Sequence, residues 1–316
     1  MEAIDLDPLT ILTTMFILMV QEGSILLLAT LGEIFTERSG VLNLGVEGLM
    51  CFGALSSFTV YYVTGNWGIA VFAAALAGAS LSFIHAFVSI TLKANQTVSG
   101  LAITVLGLGL SSFLGRPLAI SRVRIEPLGN LKIPVLSDIP VIGPSFFNQN
   151  PIVYLSYFMT VFLWLILYKT SFGLNLRSVG ENPSMADSLG INVFLTRYVA
   201  TTVGGALCGV SGALLILGYY PSWYDGITAG RGWIAVALVI FSSWNPLYAF
   251  FGAYFFGLVG TLNATFQSIG FRVIPTDFFK ILPYLLTIVV LVMFSSTRFP
   301  KRKMPASLGK PYTREL

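Results

Sequence analysis

Nine long apolar runs divide this chain and constrain its fold more than any other feature. They cover residues 9–31, 46–64, 67–92, 97–115, 151–169, 195–219, 227–243, 246–263 and 278–297. Each is close to the roughly 20 residues with which a helix crosses about 30 Å of hydrocarbon. Because backbone polar groups find no water in a bilayer, such runs fold as helices. The sequence therefore predicts an all-α, polytopic membrane helix bundle with about nine transmembrane helices (roughly eight to ten).

The composition agrees with one membrane domain over residues 1–316. The chain is 55% hydrophobic and 10% charged, whereas soluble domains carry about 25% charged residues. The net charge of +4 is small and the basic residues do not share one face, so we expect no nucleic-acid partner. Cys51 and Cys208 lie inside apolar runs, which predicts buried thiols and no metal site. The acidic start, MEAIDLDP, lacks a signal peptide's basic region, so we expect the first span to be retained.

The segment 32–53, GEIFTERSGVLNLGVEGLMCFG, is polar and glycine-rich although it separates two apolar runs. It carries Glu33, Glu37, Arg38, Asn43 and Glu47. Irregular backbone survives at membrane depth only where protein or a watery cavity satisfies its polar groups. The segment therefore predicts a break in the helices beside a lined pathway, and hence a transport function.

Amides and carboxylates can replace the hydrogen bonds that a polar solute makes with water. On this ground the candidate pathway-lining residues are Glu22, Asn43, Glu47, Asn95, Gln96 and Ser99. The structural alternatives stay open. Asn43 and Glu47 could shape a turn, and Asn95 to Ser99 could cap a helix. Glu22 could bond a neighbouring helix, since an ionised group at the centre of a span costs about 2.5–3.5 kcal/mol.

Lys and Arg residues in the loops indicate the orientation. Eleven lie on the side that holds Arg38, Lys93, Lys169 and the basic tail 298–316, and seven lie on the other. We expect the first side to be cytoplasmic, with the C-terminus inside and the N-terminus outside. The long loop 116–150 is then external, and the loop 170–194 is cytoplasmic.

The cytoplasmic loop contains the start and stop signals of a short helix. Asn182 suits the N-cap, Pro183 the first helical turn, and Gly190 the position just after the end. These signals predict a helix at about Pro183–Leu189. No phosphate-binding Gly-x-x-x-x-Gly-Lys, His-x-x-x-His, Cys-x-x-Cys or Gly-x-Ser-x-Gly occurs, and His85 is the only histidine. We expect neither an enzyme nor a cofactor in this chain.

Small residues and aromatic residues form two further patterns. Gly205, Gly209 and Gly212 predict close helix packing, either within this chain or at a seam with a partner subunit. Tyr219, Tyr220, Trp223 and Tyr224 read as an interfacial belt or, alternatively, as a stacking surface. Arg231 and Asp225, close by, could meet the solute or a partner protein.

Several stretches resemble one family. They are LATLGEIFTERSGVLNLGVEGLMCFG (28–53), KANQTVSGL (93–101), GLNLRSVGENPSMADSLGINV (173–193), GRGWIAVALVIFSSWNP (230–246) and ILPYLLTIVVLV (281–292). Together they resemble permeases of ATP-binding-cassette importers for nucleosides and simple sugars, which are related to the permeases for branched-chain amino acids and ribose. The first and third stretches carry the resemblance, since they match many residues in order.

The resemblance implies a pore that works by alternating access. Its partners would be a second, homologous permease, a cytoplasmic ATPase that uses the ATP, and an external substrate-binding lipoprotein of the basic-membrane-protein type. It also implies that the short cytoplasmic helix docks on the ATPase as a coupling helix, in which small Ala186 permits close approach. The matching residues are Gly180, Glu181, Asn182, Pro183, Ala186 and Gly190.

Two alternatives remain from the sequence. A self-sufficient secondary transporter or channel would bind coupling ions with paired carboxylates at the midplane, and Glu22 is the one candidate here. An importer permease for ribose or branched-chain amino acids would share the same architecture.

Overall fold

The computed structural model describes residues 7–268, 281–282, 285–289, 292 and 304–314. Within these residues the chain is mostly helical, and six helices are long and apolar enough to cross a membrane. Two shorter apolar helices accompany them. The predicted span 278–297 lies largely outside the described residues.

The first four helices follow the predicted apolar runs. They are α1 (Pro8–Arg38), α2 (Val46–Thr64), α3 (Trp67–Ala86, continued by a π-helical turn, Phe87–Thr91) and α4 (Gln96–Ile120). Asparagines begin two of them. The Asn66 side chain accepts from the backbone N–H groups of Gly68 and Ile69, and the Asn95 side chain accepts from Val98 N. These caps satisfy N–H groups that the helices leave unpaired.

The predicted loop 116–150 begins later, because α4 continues to Ile120. It contains a short strand pair, β1 (Leu131–Lys132) and β2 (Asn148–Gln149), which is antiparallel with Leu131 opposite Gln149. A 3₁₀ turn (Leu136–Asp138) and α5 (Ile142–Phe146) lie between the strands. Hydrogen bonds within this small unit satisfy backbone N–H and C=O groups that would otherwise lack partners.

The second half of the described chain contains six more helices. They are α6 (Pro151–Lys169), α7 (Ser171–Glu181), α8 (Pro183–Ser188), α9 (Val193–Ala213, continued by a π-helical turn, Leu214–Tyr219), α10 (Arg231–Phe241) and α11 (Pro246–Ser268). Helix α7 was not predicted. It is amphipathic and too polar for a span, so a search for apolar runs misses it. Helix α10 has only 11 residues, so it is shorter than the span that the apolar run 227–243 predicts.

Helices α1 and α9 form the centre of the molecule. Glycine permits their close contact, since a Cβ built on Gly32 would overlap the Gly204 carbonyl oxygen. The predicted Gly-x-x-x-Gly pattern acts in the same way within this chain. Gly205 and Gly209 lie against α3, and Gly212 lies against the Met50 carbonyl on α2. The pattern therefore packs α9 inside this subunit.

The predicted break at 32–53 is smaller than expected. Residues 32–38 continue α1, and irregular backbone is confined to the turn between α1 and α2, where Gly40 has φ +88°. Glu33, Glu37 and Arg38 can lie in this helix because each forms a hydrogen bond with a residue outside α1. The outer surface of the helix bundle carries large apolar side chains. Phe113 and Val105 of α4, for example, are each more than two-thirds exposed. This is the surface that lipid contact requires.

Candidate functional site

The half-length helix α10 runs beside the second half of α1, and polar contacts hold it at both ends. At its far end the Trp244 indole donates to the Glu37 carboxylate. Arg38 Nε donates to the Trp244 carbonyl at 2.9 Å, and Arg38 Nη2 donates to the Tyr168 hydroxyl at 3.0 Å. Glu37 is buried, so the indole N–H compensates a carboxyl group withdrawn from water. These bonds fix the turn 242–245 against the end of α1.

Glu47 holds the other end of α10. Its Oε1 accepts from Thr228 Oγ1 at 2.6 Å and from Gly230 N at 2.8 Å, and its Oε2 accepts from Gly232 N at 2.6 Å. A carboxylate at this place satisfies N–H groups that a helix start leaves unpaired and lies at the positive end of the helix dipole. Glu47 from α2 is therefore the N-terminal cap of α10, supplied from a distant part of the chain.

Asn43 lies in the turn before α2 and is almost fully buried. Its backbone N–H donates to Glu33 Oε1 at 3.2 Å, and its side-chain amide donates to Glu33 Oε2 at 3.3 Å. Its own Oδ1 accepts from Gly45 N at 2.9 Å. Asn43 and Glu33 thus hold the turn between α1 and α2 in place. This contact fits the alternative interpretation of Asn43 as a residue that shapes a turn. A lining role for Asn43 and Glu47 stays a prediction.

The predicted residues 95–99 lie against the same turn. Gln96 Oε1 accepts from Leu42 N at 2.8 Å, while Gln96 Nε2 is buried without a hydrogen-bond partner among the described residues. Ser99 Oγ lies 2.9 Å from His85 Nδ1, and His85 Nε2 lies 3.1 Å from the Leu42 carbonyl. Asn95 is exposed and caps α4. The structure therefore brings Asn43, Gln96 and Ser99 together around residues 42–45.

Glu22 lies apart from that cluster and pairs with the first residue of α10. Arg231 Nε lies 2.8 Å from Glu22 Oε2, and Arg231 Nη2 lies 2.8 Å from Glu22 Oε1. The Tyr220 hydroxyl donates to Glu22 Oε1 at 3.2 Å. The two charged side chains remain 22% and 16% exposed. Of the predicted polar residues inside the bundle, Glu22 is therefore the one with a partly open charged surface. Its carboxylate can offer acceptors to a polar solute, and the Arg231 guanidinium can offer donors.

The aromatic residues next to this pair do not form one lipid-facing belt. Tyr220 bonds Glu22, and Trp223 is buried with an indole N–H that lacks a hydrogen-bond partner among the described residues. Tyr224 is 44% exposed, and Asp225 is exposed beside it. The interfacial-belt interpretation therefore fits Tyr224 better than its neighbours. The ion pair, which no sequence pattern revealed, draws Tyr220 inward.

The second candidate region is α8, which begins at Pro183 as predicted and ends at Ser188, one residue before the predicted end. Asn182 Oδ1 accepts from Met185 N at 3.0 Å, Pro183 is the first helical residue, and Gly190 has φ +84°. Ala186 is 1% exposed and packs against Val179 and Val193. The small side chain therefore permits close approach to this chain's own helices.

The outer face of α8 and the residue just after the helix, Leu189, carry large exposed apolar side chains. Met185 is 62% exposed and Leu189 is 75% exposed. Leu189 also borders an open groove of about 730 Å³ between α7 and the start of α9, together with Phe172, Leu174 and Leu195. Gly180 is buried and Glu181 is exposed, and both contact the C-terminal segment. This end of the molecule thus presents an apolar surface mounted on a short rigid helix.

Two features of this end were missed by sequence reasoning. Arg197 lies inside α9 and is 1% exposed, although the orientation argument counted it among the eleven charges of the first set of loops. Residues 304–314 pack on α7, α8 and α9, although they were interpreted as a basic tail. A lone charge within the apolar run 195–219 was the available signal for Arg197. For residues 304–314 the weak signal of packing was Tyr312, an aromatic residue within the basic tail.

Comparisons with known proteins agree on one class. Residues 15–291 match the family model described as branched-chain amino acid transport system / permease component. A provisionally named glucose ABC transporter permease, TsgC13 of Haloferax volcanii, is 38% identical over 94% of this chain and 96% of its own length. The nucleoside ABC transporter permease NupC of Lactococcus lactis subsp. cremoris is 37% identical over 85% of this chain and 88% of its own.

A further relative, the guanosine ABC transporter permease NupQ of Bacillus subtilis, is 37% identical over 91% of this chain and 92% of its own length. No solved structure matches the chain. The matches extend over nearly the whole chain, so they concern its full architecture.

Proposed function

The chain belongs to the family of permease components of branched-chain amino acid transport systems, and we propose that its cargo is a nucleoside or a related simple sugar. As an ABC importer permease it is a non-enzymatic, multi-pass membrane component, so ATP is hydrolysed by another subunit. The observation that carries the substrate proposal is the near full-length similarity at 37–38% to permeases named for nucleosides, guanosine and glucose. Ribose and branched-chain amino acids are the alternative cargoes.

The Glu22–Arg231 pair is our proposed solute contact within the pathway. A guanidinium offers five donors and a carboxylate offers several acceptor positions, which suits the hydroxyl groups of a sugar. The pair is partly exposed, so a solute can compete for its hydrogen bonds. Asn95, Gln96 and Ser99 would contact the solute at the cytoplasmic mouth, and the buried amide of Gln96 has hydrogen-bonding capacity left.

Helix α8 is our proposed coupling helix. Met185 on its outer face and Leu189 just after it would dock on the ATPase, while Ala186 faces the permease. Since Arg231 begins α10 and pairs with α1, a shift of α1 relative to α10 would change access to the Glu22–Arg231 pair. If movement of α8 produces such a shift, it would switch access to the pathway between the two sides of the membrane. A second homologous permease would complete the pore, and an external lipoprotein would deliver the solute.

Reconstituted transport tests the proposal. The permease pair and its ATPase are placed in proteoliposomes with the binding protein, and uptake of labelled guanosine, glucose, ribose and leucine is compared. We expect ATP-dependent uptake of guanosine or a sugar, and none with an ATPase that lacks its phosphate-binding lysine. Uptake of leucine alone would contradict the substrate proposal. Accumulation without ATP would contradict the importer mechanism.

The orientation has its own test. In a Cys51→Ala, Cys208→Ala background, Leu189→Cys places a thiol at the end of α8 and Glu126→Cys places one in the predicted external loop. Both positions are exposed. A membrane-impermeant maleimide should label the second variant in intact cells and the first only after lysis. Labelling of Leu189→Cys from outside would overturn the cytoplasmic placement of α8.

A further inference from the structure

The C-terminal segment 304–314, named here the strap, crosses the end of the bundle where α1 finishes. Ser307 N donates to the Gly180 carbonyl at 3.0 Å, and Ser307 Oγ donates to the same oxygen at 2.7 Å. Gly309 N donates to the Gly40 carbonyl at 3.3 Å. Ser307 is 5% exposed. The strap therefore joins the end of α7 to the turn that follows α1.

Arg197 connects the strap to the membrane helices. Its Nε donates to the Ser39 carbonyl at 3.2 Å, its Nη2 to Ser307 Oγ at 3.1 Å, and its Nη1 to the Lys310 carbonyl at 3.3 Å. A guanidinium buried to this extent is costly unless its donors are satisfied. Here two backbone carbonyls and the Ser307 hydroxyl supply the acceptors, and the Ser39 carbonyl lies just beyond the C-terminus of α1, where the helix dipole favours a cation. Without the strap, two of these three acceptors are lost.

Tyr312 connects the strap to α8. Its hydroxyl donates to Asp187 Oδ2 at 2.9 Å, and its ring lies 5.8 Å from the Phe194 ring. The side chain is 8% exposed and packs in one cluster with Val179, Ala186 and Val193. The neighbouring ion pair of Arg314 with Asp187 is more exposed, so we assign it little energy. Tyr312 is thus the main anchor of α8 on this side.

Helix α8 needs such an anchor because it has only six residues. An isolated helix of this length is not stable in water, and Ala186 is its one buried side chain. We propose that the strap is a positioning element that fixes α8 to α1 and α9, so that displacement of α8 is passed to the membrane helices. The proposal rests on the proposed function of α8 as the coupling helix. Tyr312, Ser307 and Arg197 are its positioning residues.

The test compares the full importer with variants of the strap. Removal of residues 304–316 and Tyr312→Ala should each lower the number of solute molecules taken up per ATP hydrolysed at least fivefold, while ATP hydrolysis continues. Amide hydrogen exchange in residues 185–189 should accelerate at least tenfold. Tyr312→Phe keeps the ring, so it should lose less than Tyr312→Ala. Thr313→Ala is the matched control, since Thr313 is exposed in the same segment.

An unchanged uptake per ATP in both strap variants overturns the proposal, whether or not exchange accelerates. A separate measurement keeps this failure distinct from failure of the proposed function. Met185→Cys should form a cross-link to the ATPase in the otherwise unaltered importer. If the cross-link is absent, the coupling role of α8 is overturned. If it forms and the strap variants remain fully coupled, only the positioning role of the strap is wrong.

Discussion

The Glu22 carboxylate and the Arg231 guanidinium form a two-point ion pair between α1 and the first residue of α10, with both N–O distances at 2.8 Å. The sequence positions are 209 residues apart. The pair joins the long central helix to the half-length helix at the place where the Tyr220 hydroxyl also bonds. It thus combines a structural link with the charged surface that we propose for solute contact.

The first prediction concerns this pair. Glu22→Gln leaves Arg231 without its charge partner, and removing one member of a buried pair costs about 2–5 kcal/mol, with the lower end expected for a partly exposed pair. We expect a lower melting temperature in detergent and at least a tenfold loss of uptake. Asp138→Asn is the control, because the Lys132–Asp138 pair has the same 2.8 Å distance but is about two-thirds exposed. That substitution should cost about 1 kcal/mol or less.

A double substitution separates stability from solute contact. Glu22→Gln with Arg231→Gln removes both charges and should recover part of the lost stability, since no unpaired charge remains. Uptake should stay low if the charges contact the solute. Full recovery of uptake in the double variant would assign the pair a structural role only.

The second prediction concerns Glu47. Glu47→Gln replaces one acceptor oxygen by an amide donor that faces the N–H groups at the start of α10. An unsatisfied buried group costs about 1–3 kcal/mol, so the variant should melt at a lower temperature. Exchange of the amides of residues 230–233 should accelerate. Glu126→Gln removes an exposed carboxylate and should change neither quantity. Unaltered exchange at Gly232 would contradict the capping role.

The third prediction uses a pair of helical glycines. A Cβ at Gly209 would overlap the Ala74 carbonyl oxygen, so Gly209→Ala forces α9 away from α3 and should cost about 1–3 kcal/mol. Gly109 in α4 has open space where its Cβ would be. Gly109→Ala should therefore be neutral or stabilise by up to about 1 kcal/mol. Thermal unfolding in detergent compares the two, and equal melting temperatures would exclude tight packing at Gly209.

The fourth prediction concerns the cap of α8. Asn182→Ala removes the acceptor for Met185 N and should destabilise the helix start by about 1 kcal/mol, whereas Asn182→Ser should restore most of it. Uptake per ATP should fall for alanine and recover for serine. Asn66→Ala is the matched control, because Asn66 caps α3 with the same chemistry far from α8. If both alanine variants transport equally well, the cap of α8 has no special role in coupling.

The sequence alone determined the features that depend on local chemistry. Apolar length predicted the long helices, because a bilayer admits few other structures. The Asn182, Pro183 and Gly190 signals predicted α8, because capping and positive φ depend on neighbouring residues. Glycine spacing predicted close packing. In each case the physical cause lies within a few residues of the chain, so the pattern is visible without the fold.

Only the tertiary structure decided which distant polar groups meet. The sequence indicated Glu47 as a pathway-lining or turn-shaping residue, but its N–H partners at Gly230 and Gly232 lie more than 180 residues away. Continuation of α1 through Glu33 and Glu37 depends on Asn43 and Trp244 in the same manner. The strap escaped prediction because its bonds go mainly to carbonyl oxygens, which every residue carries. Partners of that kind leave no signature in a sequence, and only the packing of the helices brings them into reach.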